Sequence, residues 1–391
     1  MIKTYIETRY IKPMSEHYFF VEDLSGEENT LSIKKNNNDA PTVAVEYSTD
    51  EQNWQTLGTT SRTALTYNIP ANGRVYLRAN ATNWAKESGS EITYNGIKSN
   101  KNYKVGGNLL SLLYGQNFTG QETSMRNGTY TFAGLLGNPS GPTYANPYLI
   151  DASNLVIPVV NADSSAFCRM FKDCTNLVAP PVMSSLVSAV SSNVYGTLNG
   201  MFQGCTSLAT APDLSSLTTL GRWDFIYIFN GCTSLTIPPD LSSLTTALQF
   251  NGAFGLTGIT SMPDLSNITT DYTIDSYGFA NCTSLTTVPA TCFNSHLTGI
   301  GGAFQQCTSL TSVDLSAMTT LTNAFETFYQ CSNLNSVNIS GLTTWDTNNT
   351  SNWLQGVAAT GTIYINPALD GVIPENSASG IPSGWTKVVV S

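Results

Sequence analysis

Between residues 171 and 334 one phrase, Phe-x-x-Cys-x-x-Leu, keeps returning, and self-similarity at a short fixed period constrains a fold more than any single residue does. Its copies are Phe171/Cys174/Leu177, Phe202/Cys205/Leu208, Phe229/Cys232/Leu235, Phe279/Cys282/Leu285, Phe304/Cys307/Leu310 and Phe328/Cys331/Leu334. A shortened copy runs from Phe254 to Ile259 without a cysteine, so successive phenylalanines are 31, 27, 25, 25, 25 and 24 residues apart. A second phrase follows most copies: Asp213-Leu-Ser-Ser-Leu-Thr-Thr, with relatives beginning at Asp240, Asp264, Asp314 and Asn338.

A period of about 20–29 residues with apolar side chains at fixed offsets suits one coil of a leucine-rich-repeat solenoid. No coil can bury its apolar side alone, so neighbours must stack. Leu310-Thr-Ser-Val-Asp-Leu315 predicts a short strand with Leu310, Val313 and Leu315 turned inward, paired in parallel with its equivalents. The Phe-x-x-Cys phrase predicts a turn or short helix on the opposite, convex wall, its ring and thiol inside. Equivalent cysteines on stacked coils point alongside one another, whereas a disulfide needs converging Cβ vectors. A ladder of buried free thiols follows. No Cys-x-x-Cys occurs, so no metal site and no cofactor is expected of them.

Phe-x-x-Cys-Thr-Ser-Leu at about 25-residue intervals resembles the BspA-like, or treponemal-type, leucine-rich repeat. The closing stretch from Gly361-Thr-Ile-Tyr-Ile to Gly380-Ile-Pro-Ser-Gly-Trp385 is similar to the usual ending of such chains. The resemblance spans roughly residues 130–391. It implies a binding protein of the kind carried on the surfaces of mucosal bacteria and encoded by their phages.

Residues 17–106 read differently. Tyr18-Phe-Phe-Val, Thr30-Leu-Ser-Ile, Val43-Ala-Val-Glu-Tyr, Ala64-Leu-Thr-Tyr-Asn-Ile and Arg74-Val-Tyr-Leu-Arg alternate apolar and polar residues between turn signals. That pattern predicts a β-sandwich whose edges need protection, for instance by Lys34 and Lys35. The fold class is therefore β-rich: a mounting sandwich, then a solenoid of short parallel strands with a turn-built convex side. The expected boundaries are an arm at 1–16, the sandwich at 17–106, a connector with a short helix over the first coil at 107–129, the solenoid at 130–350 and a capping segment at 351–391. Phe132-Ala-Gly-Leu-Leu136 and Asn154-Leu-Val-Ile-Pro158 read as a diverged first coil.

Charge divides along the same line. Residues 1–129 hold 13 Lys and Arg against 13 Asp and Glu, whereas 130–350 hold 3 against 12. A net charge of −10 excludes nucleic acid as a partner, because phosphate needs a basic face. No apolar run reaches the roughly 18 residues of a membrane span, so no membrane insertion is expected. The opening Met1-Ile-Lys-Thr-Tyr-Ile-Glu-Thr-Arg9 lacks the apolar segment of a secretory signal, which predicts folding in a cytoplasm.

Catalytic chemistry is sparse. His17 and His296 are the only histidines, neither stands in a triad pattern, and no phosphate-binding loop or nucleophile elbow occurs. No catalytic residue and no enzymatic activity is expected. Asp213, Asp240, Asp264 and Asp314 recur at one offset, where they either cap loop backbone or share a hard cation such as Ca²⁺. Candidate ligand contacts are the aromatics and acids outside the repeat phrase: Trp223, Asp224 and Tyr227, and Tyr272, Asp275 and Tyr277 in the equivalent stretch two coils on. Family resemblance and cytoplasmic folding together predict a virion surface protein, a head or tail fibre or decoration, assembled in the host cytoplasm. It would be a homo-oligomer joined to other virion proteins through its N-terminal region, with its solenoid attached to host-surface or mucosal glycans or proteins. The alternative is a bacterial cell-surface adhesin.

Overall fold

The computed structural model describes residues 13–88, 91–126, 128–137, 145–189 and 196–390. Most of the expected arm at 1–16 lies outside these residues; within them Met14–Glu16 form one 3-10 turn.

The N-terminal strands are β1 (Phe19–Asp23), β2 (Asn29–Lys35), β3 (Ala44–Ser48), β4 (Gln55–Thr59), β5 (Leu65–Ile69), β6 (Arg74–Ala79), β7 (Ala85–Ser88), β8 (Glu91–Ser99) and β9 (Tyr103–Asn108). One sheet runs β9-β1-β6-β3-β4 and the other β5-β2-β8-β7. Because successive side chains on a strand face opposite ways, Leu31 and Ile33 of β2 point inward while Ser32 and Lys34 point out. They meet Phe19, Val21, Val45, Val75 and Leu77 of the facing sheet in one core. This is the expected sandwich. Lys34 and Lys35 do not guard an edge, however: they end β2, which is paired on both sides, with β5 and β8. Alternation in a sequence fixes which way a side chain faces and leaves its strand's place in the sheet open.

The sandwich has no free edge at β9. Strand β10 (Leu149–Val156) pairs with it in parallel, and Asp151 and Val156 of β10 carry parallel bridges on to Ala179 and Val182. The solenoid therefore begins as an extension of the sandwich sheet, and one hydrophobic core is continuous from Phe19 to Trp385. Helix α1 (Ser111–Tyr114) packs on β6, where Leu112 O accepts the indole N–H of the buried Trp84 at 3.0 Å. It covers the sandwich, and the first coil is met instead by β9, which pairs with β10, and by β8, whose Ile97 N–H donates to Leu135 O at 2.8 Å.

Further strands are β11 (Asn161–Ala162), β12 (Ser188–Ala189), β13 (Thr219–Leu220), β14 (Tyr272–Thr273), β15 (Thr287–Val288), β16 (Leu297–Gly299), β17 (Ser312–Asp314), β18 (Ser336–Ile339), β19 (Gly361–Ile365) and β20 (Trp385–Val389). They form two rows, both parallel. β15-β17-β18-β19-β20 follows the leucine of the first phrase, and Leu310, Val313 and Leu315 are buried around β17 as expected. β11-β12-β13 and β14-β16 form the second row, β13 overlapping the Leu217-Thr-Thr219 phrase.

The repeat leucines themselves stand outside the strands, which corrects the expectation that the strand opens on Leu310. Leu177, Leu208, Leu235, Leu285, Leu310 and Leu334 are fully buried, and none of them is available to a ligand. Each closes an i→i−3 turn by donating its N–H to the carbonyl of the repeat cysteine at 2.9–3.1 Å. With that N–H engaged in the turn, bonding between coils resumes at the next residue, as Thr311 N to Thr286 O, and the paired strands begin at Thr287, Ser312 and Ser336.

The third side is the phenylalanine wall. Phe171, Phe202, Phe229, Phe254, Phe279, Phe304 and Phe328 are fully buried, and their rings stack in one column with centroids 5.1–5.7 Å apart. Trp353 closes the column 6.1 Å beyond Phe328, its indole N–H donating to Gly380 O. Beside it runs the thiol column. Cys205, Cys232, Cys282, Cys307 and Cys331 each donate Sγ–H at 2.9–3.1 Å to the carbonyl of the repeat phenylalanine one coil back. Cys174 finds Leu136 O at 3.3 Å, so Leu136, not Phe132, stands in the phenylalanine's place in the first coil. In the shortened copy Thr257 takes the cysteine position, and its hydroxyl donates to Phe254 O. Cysteine suits this position as a small apolar side chain that still satisfies a buried carbonyl. All eight cysteines are free and buried.

Candidate functional site

The wall's backbone decides which side chains reach solvent. Every second N–H donates to the next coil, as Tyr227 N to Asn251 O, Phe229 N to Ala253 O and Gly231 N to Gly255 O. The intervening residues make tight i→i−3 turns, as Asn230 N to Tyr227 O. Such a ladder holds the residues two before and two after each phenylalanine in the left-handed region: Tyr227 at φ 54°, Gly231 at 78°, Tyr277 at 70° and Asn281 at 60°. Left-handed backbone is unfavourable for residues with a Cβ, so it persists only where the surroundings enforce it.

At the position two before the phenylalanine, large and small residues alternate coil by coil: Arg169, Gly200, Tyr227, Gly252, Tyr277, Gly302, Glu326. Arg169, Tyr227 and Tyr277 each lie over the glycine of the next coil. A Cβ on Gly252 would stand 2.3 Å from the Tyr227 ring, and one on Gly302 would stand 3.5 Å from the Tyr277 ring. The two tyrosines are thus laid flat two coils apart with their outer faces in water, 39% and 49% exposed. Leu256 and Phe325 are comparably exposed, at 50% and 47%. Neither was singled out in the sequence; for Phe325 the legible signal is the Gly302 that opens space beside it.

Tyr277, Gly301, Gly302, Asn323, Phe325 and Glu326 bound a shallow cleft of about 140 Å³. Asp275 stands behind it, half-buried. Its Oδ1 accepts the Gly301 N–H at 2.5 Å and the Asn323 amide at 3.4 Å, while burial raises its pKa above the ordinary carboxylate range. Asp275 thus holds the glycine floor in place. Glu326 accepts from the Gln305 amide at 3.0 Å and keeps its carboxylate at the cleft rim.

The remaining candidates divide. Trp223 is half-buried, its indole and backbone N–H groups both donating to the Gln249 side-chain oxygen, with the Arg222 guanidinium 4.5 Å from its ring centre. Asp224 and Tyr272 are fully buried and are not contact residues. Asp224 accepts the N–H groups of Thr197, one coil back, and Gly221, and so ties two coils together. Tyr272 lies in β14 under the Phe250 ring. The stretch from Trp223 to Phe229 forms successive turns, so its side chains do not alternate between core and solvent as a strand's would.

The polar features outside the wall are structural. Asp213, Asp240 and Asp264 each accept from the backbone N–H and hydroxyl of the serine two residues on, which depresses the carboxyls of Asp213 and Asp240. Asp314 and Asn338 bind the corresponding backbone N–H. That is the capping geometry of an Asx turn. His296 pairs with Asp271 of the preceding coil at 3.0 Å, and His17 with Glu51 at 2.9 Å. Burial pushes the Cys232 and Cys331 thiols up to about 12, the protonated state their hydrogen bonds need. Among the described residues no three His, Cys, Asp or Glu side chains converge as a metal site, and no helix is long and apolar enough to cross a membrane.

These features define a leucine-rich-repeat solenoid of about nine turns with an aromatic outer wall. Residues 251–352 match the family model described as BspA type leucine rich repeat region, in six copies, so the resemblance carried by the Phe-x-x-Cys phrase holds. A solved leucine-rich repeat protein from Bacteroides ovatus is similar at 15% identity, with 78% of this chain and 97% of that chain covered. Its TM-score of 0.22 is too low to carry an argument. No curated protein matches the chain.

Proposed function

We propose that the protein is a non-enzymatic adhesin of the bacterial cell surface whose solenoid wall binds glycans or proteins of another surface. The carrying observation is the pair of solvent-facing tyrosine rings laid over glycines, Tyr227 and Tyr277, with exposed Phe325 and the Glu326 carboxylate at the cleft beside the second. Rigid aromatic faces supply contact area at little entropic cost, and acceptors beside them take hydroxyl or amide donors. The repeat thiols are buried and Asp213, Asp240 and Asp264 are engaged as turn caps, which favours binding over catalysis at these recurring positions.

BspA-type repeats favour the cell surface over the virion, for which the chain offers no comparable support. Self-association through the N-terminal region remains part of the proposal. The test is binding of the intact chain to arrayed glycans and surface proteins, repeated with Tyr277→Ala and Phe325→Ala combined. The double variant should lose binding by about tenfold or more while keeping its melting temperature. Unchanged binding would move the site off the wall.

A further inference from the structure

Seven of the nine strands β1–β9 carry at least one Lys, Arg, Asp or Glu; β4 (Gln-Thr-Leu-Gly-Thr) and β5 (Leu-Thr-Tyr-Asn-Ile) carry none. These two also end their sheets, β4 paired only with β3 and β5 only with β2. They meet at one flank of the sandwich, where a Cβ on Gly58 would stand 2.8 Å from the Leu65 side chain.

A free strand edge invites pairing with another strand, and sheets ordinarily discourage it with charges, bulges or a covering chain. β7, at the other end of the second sheet, carries Lys86 and Glu87, and the Trp84 N–H just before it is taken by Thr131 O. β4 is interrupted by the bulge opposite Val45 and Glu46. β5 has none of these devices. Its register with β2 runs unbroken from Leu65 to Ile69, and among the described residues no backbone hydrogen bond crosses its outer edge.

The strand is complementary to itself. Leu65, Tyr67 and Ile69 face the core while Thr66 and Asn68 are exposed, so the pattern reads the same in both directions. Laid antiparallel on a second copy with Tyr67 opposite Tyr67, it sets Leu65 opposite Ile69 and Thr66 opposite Asn68. Apolar then meets apolar, polar meets polar, and no charge meets its own kind. The flanks agree: beyond the Leu65–Ile33 pair lie exposed Lys34 and Arg62, and beyond the Ile69–Asn29 pair lies exposed Glu28. Antiparallel self-pairing brings the basic end of one copy to the acidic end of the other. Residues 1–129 hold 13 cations against 13 acids and residues 130–350 hold 3 against 12, so two copies meet with least repulsion through the sandwich.

We infer that β5 pairs antiparallel with β5 of a second copy, joining the two β5-β2-β8-β7 sheets into one across a twofold axis at Tyr67. This deepens the self-association proposed above, on which it rests, by giving it a seam.

Sedimentation velocity on the intact chain tests the pairing, and a dimer is the expected species. Thr66→Lys with Asn68→Lys sets lysine against lysine at exposed positions and should raise the dimer dissociation constant by about tenfold or more. Thr66→Lys with Asn68→Glu sets each lysine against a glutamate of the other copy and should keep the dimer, which also shows that charging these positions leaves the fold intact. A chain monomeric up to about 100 μM overturns both self-association and the seam. A dimer indifferent to the double lysine change leaves self-association standing and overturns β5 as its seam, and equal dissociation by both variants overturns the antiparallel register. The Tyr277→Ala, Phe325→Ala variant should dimerise as the parent does, so failure at the wall and failure at β5 are read separately.

Discussion

The sandwich and the solenoid solve the same burial problem with opposite resources. Strands distant in sequence pair antiparallel in the sandwich, and its surface is fixed by specific ion pairs such as Glu22 with Arg74 and Lys104. Residues 130–350 have only three cations to pair, and the solenoid is instead held by columns in which each side chain meets its equivalent one coil away. Sandwich stability is therefore shared among partners across the whole unit, whereas solenoid stability passes from neighbour to neighbour.

The strongest way to break this comparison is Phe229→Ala. Removing a fully buried ring with stacked neighbours on both sides should cost about 3–5 kcal/mol. Hydrogen exchange should accelerate in the adjoining coils while β1 and β6 stay protected. Equal loss of protection in the sandwich would mean that the shared sheet welds both into one cooperative unit.

Cys232→Ala is next, at about 1–2 kcal/mol, because it removes one of the two donors to Phe202 O, which keeps the Cys205 N–H, and leaves a small void in the core. Denaturant titration measures it, and Cys232→Ser should recover part. The same column predicts alkaline sensitivity. The Cys232 pKa is raised from 9.0 to about 12, so its contribution is complete below pH 9 and is lost as pH rises toward 12. Every cysteine lies beyond residue 167, so the decline should begin in the solenoid. Native thiols should also resist alkylation until the chain is unfolded.

Gly252→Ala should cost about 1–2 kcal/mol, since it puts a side chain at φ 60° and a Cβ against the Tyr227 ring. Fluorescence of the displaced tyrosine and a lowered melting temperature would register it. Glu22→Gln, at about 1 kcal/mol or less, is the smallest effect and should shrink further in salt, whereas no solenoid variant above should respond to salt.

What could be read from the sequence follows the same division. The phenylalanine, cysteine and leucine columns were legible because identical residues recur wherever the environment recurs, and all eighteen of those side chains are buried. Where the strand begins was not: Leu285, Leu310 and Leu334 carry the apolar signal of a strand, while their N–H groups close the preceding turn. The sandwich's inward faces were legible from alternation, but the pairing of β2 with β5 and β8 was not, since register across long separations leaves no local mark. Asp224 and Tyr272 were misplaced because lying outside the repeat phrase does not put a side chain outside the core: Asp224 binds the Thr197 and Gly221 N–H groups, and Tyr272 packs on Phe250. The Leu-Thr-Thr phrase was visible as a repeat, yet its role became clear only in three dimensions: the hydroxyls of Thr245 and Thr269 each donate to the threonine carbonyl one coil back.

That β10 joins directly to β9 gives growth of this molecule a fixed starting point. The finished sandwich presents a template on which the first coil can register, and each coil then templates the next. Length becomes a modular quantity: duplicating or deleting one coil would move the distal tip by a single ring interval, 5.1–5.7 Å, without redesigning anything at the base.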